Sequence, residues 1–376
     1  MRIEIWADVV CGWAHIGKRR LEKALASWEG EPVEVVWRPY QIDPSAPARA
    51  VPMAHALLDP VADEALRSCS PGLSPAENRG RVAGEAVAEG LGPQWGSQWR
   101  AGTLEAHRLI ALAYEKGGAE LQDRVVERVL RAHFELAQDI SDLAVLTAIA
   151  GEAGLIEEAG YTTGANQAQE TGHTAGADLA DKPGHTAGAS LAEEAGYAAG
   201  AGHADTGDSL RQTLPGAGLV RELLLVGKAK GVRTSPTIVA GGLALEGAQS
   251  PETIRQFLED ASRRPLRRLP AEVERLRYAE SLLDRRDPLG ALTLLRPLME
   301  EHGGDRGVRT LAARAYFASA QLNRARSALE ALVAESPDDS YTRHLLGRTL
   351  QRQGRHEEAA SHLTLAAAMT PDYAAG

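Results

Sequence analysis

The chain has 376 residues, 44% of them apolar and 24% charged, and a net charge of −10. That length exceeds one ordinary domain and points to two or three, and the acidic balance argues against nucleic-acid binding. No apolar run is long enough to span a membrane, and Met1–Val10 lacks the apolar core and cleavage site of a signal peptide, so a cytoplasmic protein with no membrane partner is expected.

Two strand candidates, Arg2–Val10 and Val33–Tyr40, flank a helical stretch at Ile16–Trp28, the start of a β-α-β unit. Residues 50–155 are rich in Ala, Leu, Glu and Arg at helical spacing and read as a helical block. From Gly160 the chain changes character. GYTTGA, GHTAGA, GHTAGA and GYAAGA begin at Gly160, Gly172, Gly184 and Gly196, a constant period of twelve. Almost no large apolar side chain is present, so residues 160–207 read as a low-complexity insertion. His173, His185 and His203 ride in that repeat and lack the spacing of metal ligands, so no metal is expected.

Structure is expected to resume with a helix at Leu219–Lys230. Strands follow at Thr237–Ala240 and Leu243–Leu245, separated by Gly241-Gly242. Ser250 is a helix N-cap, with Pro251 at the first helical position. After a basic linker at 263–271, a period of thirty-four appears. Ala291, Ala325 and Ala359 keep that spacing, as do Leu295, Leu329 and Leu363, and Pro337 and Pro371. With Leu346, Gly347 and Ala366 in place, residues 272–376 read as three tetratricopeptide repeats, helix pairs that usually hold a protein partner.

Only Cys11 and Cys69 are present. A structural disulfide between them is not expected in a reducing compartment. Cys11 lies where a strand runs into a helix, in DVVCGWAHIGKRRLEKAL. A helix N-terminus offers free N–H groups and a positive dipole end, so a lowered thiol pKa is expected there. A disulfide oxidoreductase needs a second cysteine three residues on, to resolve a mixed disulfide. That position is Ala14. His15, as an imidazolium, would lower the thiol pKa further; packed or facing solvent, it would not.

This segment resembles the DsbA-like, FrnE-type thiol oxidoreductases, in which the corresponding stretch reads CPWCYIGKRRLE. Cys11 matches the first cysteine and Trp13 the tryptophan, and Ile16, Gly17, Lys18 and Arg19 match the helix that follows. Gly12 stands for proline, Ala14 for cysteine and His15 for an aromatic residue. GTLEAHRLIALA at Gly102–Ala113, with His107 and Arg108, is similar to the family's helical segment. GVRTSPTIVAGG at Gly231–Gly242 and GAQSPE at Gly247–Glu252 fall in the family's order.

The resemblance implies an α/β thioredoxin fold over 1–262 with a helical insertion at about 46–228, followed by the all-α repeats. It aligns Pro236 with a cis-proline facing the thiol, which would offer the backbone of Ser235 to a bound peptide, and it leaves His107 either at the same groove or hydrogen-bonded where the helical domain meets the thioredoxin core. It also implies no cofactor beyond glutathione as a candidate co-substrate. No oligomeric state follows from it.

Three readings of the activity stay open: a monothiol oxidoreductase acting on protein or peptide thiols through Cys11, a scaffold that binds protein partners without turnover, and a glutathione-dependent isomerase or transferase. Cys69 as a remote resolving thiol has nothing in RSCSPG to fix it beside Cys11. Trp95 and Trp99, read as one helix face, are expected in the core or, with Trp13, along the cleft.

Overall fold

The computed structural model describes residues 1–59, 72–156, 210, 214, 216–264 and 269–375. Cys69 and the twelve-residue repeats lie outside the described residues.

The N-terminal sheet has four strands in the order β2-β1-β5-β6, formed by β1 (Arg2–Ala7), β2 (Glu34–Pro39), β5 (Thr237–Ala240) and β6 (Leu243–Glu246). β1 pairs parallel with β2 in the register Ile3↔Val35 and Ile5↔Trp37, and antiparallel with β5. The parallel pair needs a crossover, which α1 (Gly12–Ala26) supplies. Both faces of β1 are covered: Ile3, Ile5, Trp6 and Ala7 are all buried. It stops at Ala7, earlier than expected, because Asp8 turns the chain and its carbonyl accepts from the Cys11 amide at 3.1 Å.

The expected helical block contains α2 (Met53–Ala56), α3 (Pro75–Ala88), α4 (Leu104–Phe134) and α5 (Leu143–Glu152). Two short strands interrupt it, β3 (Val51–Pro52) and β4 (Trp99–Arg100), paired antiparallel to each other. Helical periodicity does not reveal a two-residue strand, and these were not expected. α4 is two helical halves joined at Gly117 and Gly118, where φ at Gly118 is +64°. Leu109, Val125, Val126, Val129 and Leu130 on it are buried in one core with Ile3 and Ile5 of the sheet. That shared core fixes the helical layer over the strands.

α6 (Ala217–Ala229) leads into the cis Ser235–Pro236 bond and β5. α7 (Pro251–Ser262) starts at Ser250, whose hydroxyl accepts from the Thr253 amide at 3.3 Å. The expected N-cap is therefore present, and Ile254, Phe257 and Leu258 close the far side of α1.

The remainder is helical: α8 (Ala271–Asp284), α9 (Pro288–Glu301), α10 (Arg306–Ala318), α11 (Leu322–Glu335), α12 (Ser340–Arg352) and α13 (His356–Met369), then a 3-10 turn at Pro371–Ala375. The thirty-four-residue spacing has a direct packing meaning. Ala291, Ala325 and Ala359 are buried at the contacts within the helix pairs, and Leu294, Leu295 and Leu329 fill the space around the first two. At Gly347 a Cβ would lie 2.6 Å from Leu363 Cγ, so only glycine lets α12 and α13 approach this closely.

The repeats dock on α6. Leu225, Val226 and Ala229 join the core of the first helix pair, and Ser281 Oγ donates to the Ala229 carbonyl at 2.8 Å. Lys228 pairs with Asp287 at 2.6 Å, while Lys230 pairs with Glu4 and lies 5.7 Å from both the Trp6 and Tyr278 ring centres. Among the described residues no helix is long and apolar enough to cross a membrane.

Candidate functional site

Cys11 is the N-cap residue of α1, with φ −87° and ψ 113°, and its side chain makes no capping bond to the helix. The Ala14 amide donates to the Cys11 carbonyl at 2.9 Å, closing the first turn. The thiol instead donates across the molecule to the Ser235 carbonyl, with Sγ at 3.2 Å. That carbonyl belongs to the cis Ser235–Pro236 bond. The structure thus brings Cys11 and the Ser235–Pro236 turn, 224 residues apart in sequence, into contact. Pro236 also lies against α1 at Gly17, where a Cβ would be 3.1 Å from Pro236 Cγ.

The expected drop in thiol pKa is not what the structure gives. Cys11 is only 8% exposed, and its pKa is raised, chiefly by burial. The Ser235 side chain and the Ala14 and Trp13 amides pull it down, and the charge of Asp8 pushes it up. Loss of hydration outweighs the helix N-terminus here.

His15 is not an imidazolium beside the thiol. It is fully buried, and Trp95 Nε1 donates to its Nδ1 at 3.2 Å, so the ring proton sits on Nε2, 4.0 Å from Glu135. Burial lowers its pKa to about 4. His15 therefore packs as a neutral ring, as one of its two bland alternatives required.

Trp95 and Trp99 do not share a helix: Trp95 follows α3, and Trp99 is in β4. Their spacing of four came from a turn and a strand. Trp95 is buried, stacks on Phe134 at 4.7 Å, and comes up against Gly12. A Cβ at position 12 would lie 2.7 Å from Trp95 Cη2 and 3.1 Å from Val82 Cγ1. Gly12 is thus the one residue of the motif that leaves space for the indole. Gly12→Ala is expected to lower unfolding stability by about 1–3 kcal/mol, and Trp95→Leu to relieve that loss in the double variant. Urea unfolding of the four proteins measures this; an unchanged midpoint for Gly12→Ala would refute it. Trp13 is half-buried, with the Arg81 guanidinium 5.2 Å from its ring centre.

Sequence reading missed Asp8. It is 1% exposed, and its carboxylate accepts from the Ile42 amide at 2.8 Å and faces His107 Nε2 at 3.3 Å. His107 Nε2 also donates to the Tyr40 carbonyl at 3.0 Å. His107 is buried and touches the site through Asp8; its other face lines a cavity of about 90 Å³ with Trp37, Tyr114 and Leu223. The signal for Asp8 lay in the sequence, since an acid set between Trp6-Ala7 and Val9-Val10 is carried inside by its apolar neighbours.

The IGKRRLE stretch has a different task. Lys18 is buried among Glu22, Asp123 and Glu127, and Arg20 binds Glu89 at 2.7 Å and the Ala248 carbonyl at 2.6 Å. These charges tie α1 to α3, α4 and the turn before α7. No group of three His, Cys, Asp or Glu that would hold a metal ion occurs among the described residues.

Residues 2–180 match the model of a DSBA-like thioredoxin domain, and residues 282–349 that of a tetratricopeptide repeat. The N-terminal part of the chain is a DsbA-like thioredoxin domain. It is followed by a tetratricopeptide-repeat region, so the fold expected from the sequence is the fold present. The uncharacterized protein YwbO of Bacillus subtilis (strain 168) is 27% identical over 163 residues, which cover 41% of this chain and 67% of that protein. The crystal structure of a probable DsbA oxidoreductase from Streptomyces coelicolor aligns with a TM-score of 0.49 at 23% identity, over 72% of this chain and 94% of the other. In the DsbA-like domain, Cys11 is a free cysteine with alanine where a partner would stand.

Proposed function

We propose that the protein is a FrnE-type member of the DsbA-like thiol oxidoreductases that exchanges disulfides through Cys11 alone. The observation that supports this reading is the 3.2 Å contact between Cys11 Sγ and the Ser235 carbonyl at the cis-proline turn. A thiol held there lies beside backbone that would pair with an extended peptide.

In the step proposed, the Cys11 thiolate attacks one sulfur of a disulfide. The new S–S bond forms as the old one breaks, the leaving sulfur departs as a thiolate, and the Cys11 proton passes to solvent. An external thiol such as glutathione then attacks the mixed disulfide and frees Cys11, the work a cysteine at position 14 would otherwise do. The tetratricopeptide repeats would recruit the protein client, and a cytoplasmic setting supplies reduced glutathione.

Treatment of a Cys69→Ser variant with glutathione disulfide is expected to add one glutathione at Cys11, removable by excess reduced glutathione. Mass spectrometry of the intact protein and its peptides reads this. No adduct at Cys11 would refute the exchange reading. The burial and raised pKa of Cys11 favour one second reading, a partner-binding scaffold with a relic thiol, and that reading would then stand.

A further inference from the structure

Among the described residues Asp8 is the one buried acid, and its bonds reach the Cys11 amide, the Ser235 turn, the segment after β2 and α4. Its amide donates to Ser235 Oγ at 2.9 Å, holding the turn whose carbonyl receives the thiol. Its carbonyl accepts from the Cys11 amide at 3.1 Å, fixing the approach to α1. Its carboxylate accepts from the Ile42 amide after β2 and from His107 of α4.

Three chain segments and the helical layer thus meet on a single residue. Among the described residues His107 is its sole ion-pair partner, and no lysine or arginine offsets the carboxylate. The other titratable group of α4 that feels its charge is His133, which stays neutral, with Nε2–H donated to Ser97.

We propose that Asp8 is the positioning residue of the thiol site: its backbone aligns Cys11 with Ser235, and its buried carboxylate holds Cys11 as the thiol at rest. The inference deepens the exchange reading, since a resting thiol that donates to Ser235 gives up that contact only when a bound partner takes over the carbonyl. Asp8 is three residues before Cys11 and joined to it through the Cys11 amide, and a buried negative charge held there opposes a second one on the sulfur, with little water to screen it. The direction of the Cys11 shift, with Asp8 among its upward causes, agrees.

Alkylation tests this without turnover. In a Cys69→Ser background Cys11 is the sole thiol, and its iodoacetamide rate against pH gives a titration midpoint. Asp8→Asn keeps the size and loses the charge. It is expected to lower that midpoint and to raise the rate at neutral pH by about threefold or more. A merely structural role would loosen the site and speed alkylation at every pH, with the midpoint unmoved. An unchanged or higher midpoint overturns the proposal.

His107→Leu provides a second variant should Asp8→Asn fail to fold. It removes the donor facing Asp8 and leaves the carboxylate less compensated, so the midpoint is expected to rise. An unmoved or lower midpoint there also overturns the proposal. Failure of glutathione to add at Cys11, with the Asp8→Asn midpoint still lowered, would reject the exchange reading and leave this one intact.

Discussion

Ala14→Cys is expected to convert the protein into a dithiol oxidoreductase. Position 14 lies on the first turn of α1, and the Ala14 amide already closes onto the Cys11 carbonyl at 2.9 Å, so side chains 11 and 14 leave the helix start on one side. Ala14 is 1% exposed and lines a small void of about 10 Å³ shared with Gly17 and Pro236. A sulfur placed there enters that void and the contact with Pro236, at an overpacking cost of about 1–3 kcal/mol.

Under oxidising conditions the variant should lose two hydrogens and carry an 11–14 disulfide. In insulin reduction it should exceed the wild type by about tenfold or more, since the second thiol resolves each mixed disulfide within the molecule. A variant that folds, forms no 11–14 disulfide and gains no rate would show that the site has lost more than one sulfur.

Acidification is expected to destabilise the fold well above the range in which carboxylates titrate. His15 and His133 are both fully buried, and burial lowers each pKa to about 4. In the unfolded chain each returns to about 6.5. Between those values the unfolded state binds more protons than the folded one, so the stability these two rings contribute is complete above about pH 6.5 and is lost as pH drops towards about 4.

The loss amounts to about 2 kcal/mol per histidine by about pH 5, and about 3 by about pH 4. Glu4, Glu22 and Glu127 have lowered pKa values from their pairs with Lys230, Lys18 and Arg19, and they extend the decline in the same direction at lower pH. Urea unfolding at about pH 7.5 and about pH 5 measures the difference, and a His133→Leu variant should lose about half of it. Equal stability at the two values would show that neither ring is buried neutral.

Much of this architecture was legible because local patterns carried it. The apolar runs at Arg2–Val10 and Val33–Tyr40 contain β1 and β2, and the Ser250-Pro251 signature marks the start of α7. The thirty-four-residue period survives in the fold because each small residue answers a helix contact that recurs in every unit.

The errors have physical sources too. β3 and β4 are two residues each and have no periodicity to detect. The Trp95–Trp99 spacing matched a helix by coincidence, since a spacing of four carries no information on its own. A helix end is a local feature and predicts a lowered thiol pKa, whereas burial, which is not local, raises it.

For Cys11 the division is sharp. The sequence alone determined that the motif has one sulfur, because Ala14 is a matter of composition and no folding changes it. It also determined that a strand hands the cysteine to a helix, since strand and helix periods meet at that residue. Only the tertiary structure decided how that sulfur behaves. Its hydration is removed by the core packed around it and by the Ser235 turn, and its neighbouring charge is Asp8, pinned by a histidine 99 residues away. Burial and charge are sums over atoms distant along the chain, and no local pattern contains them.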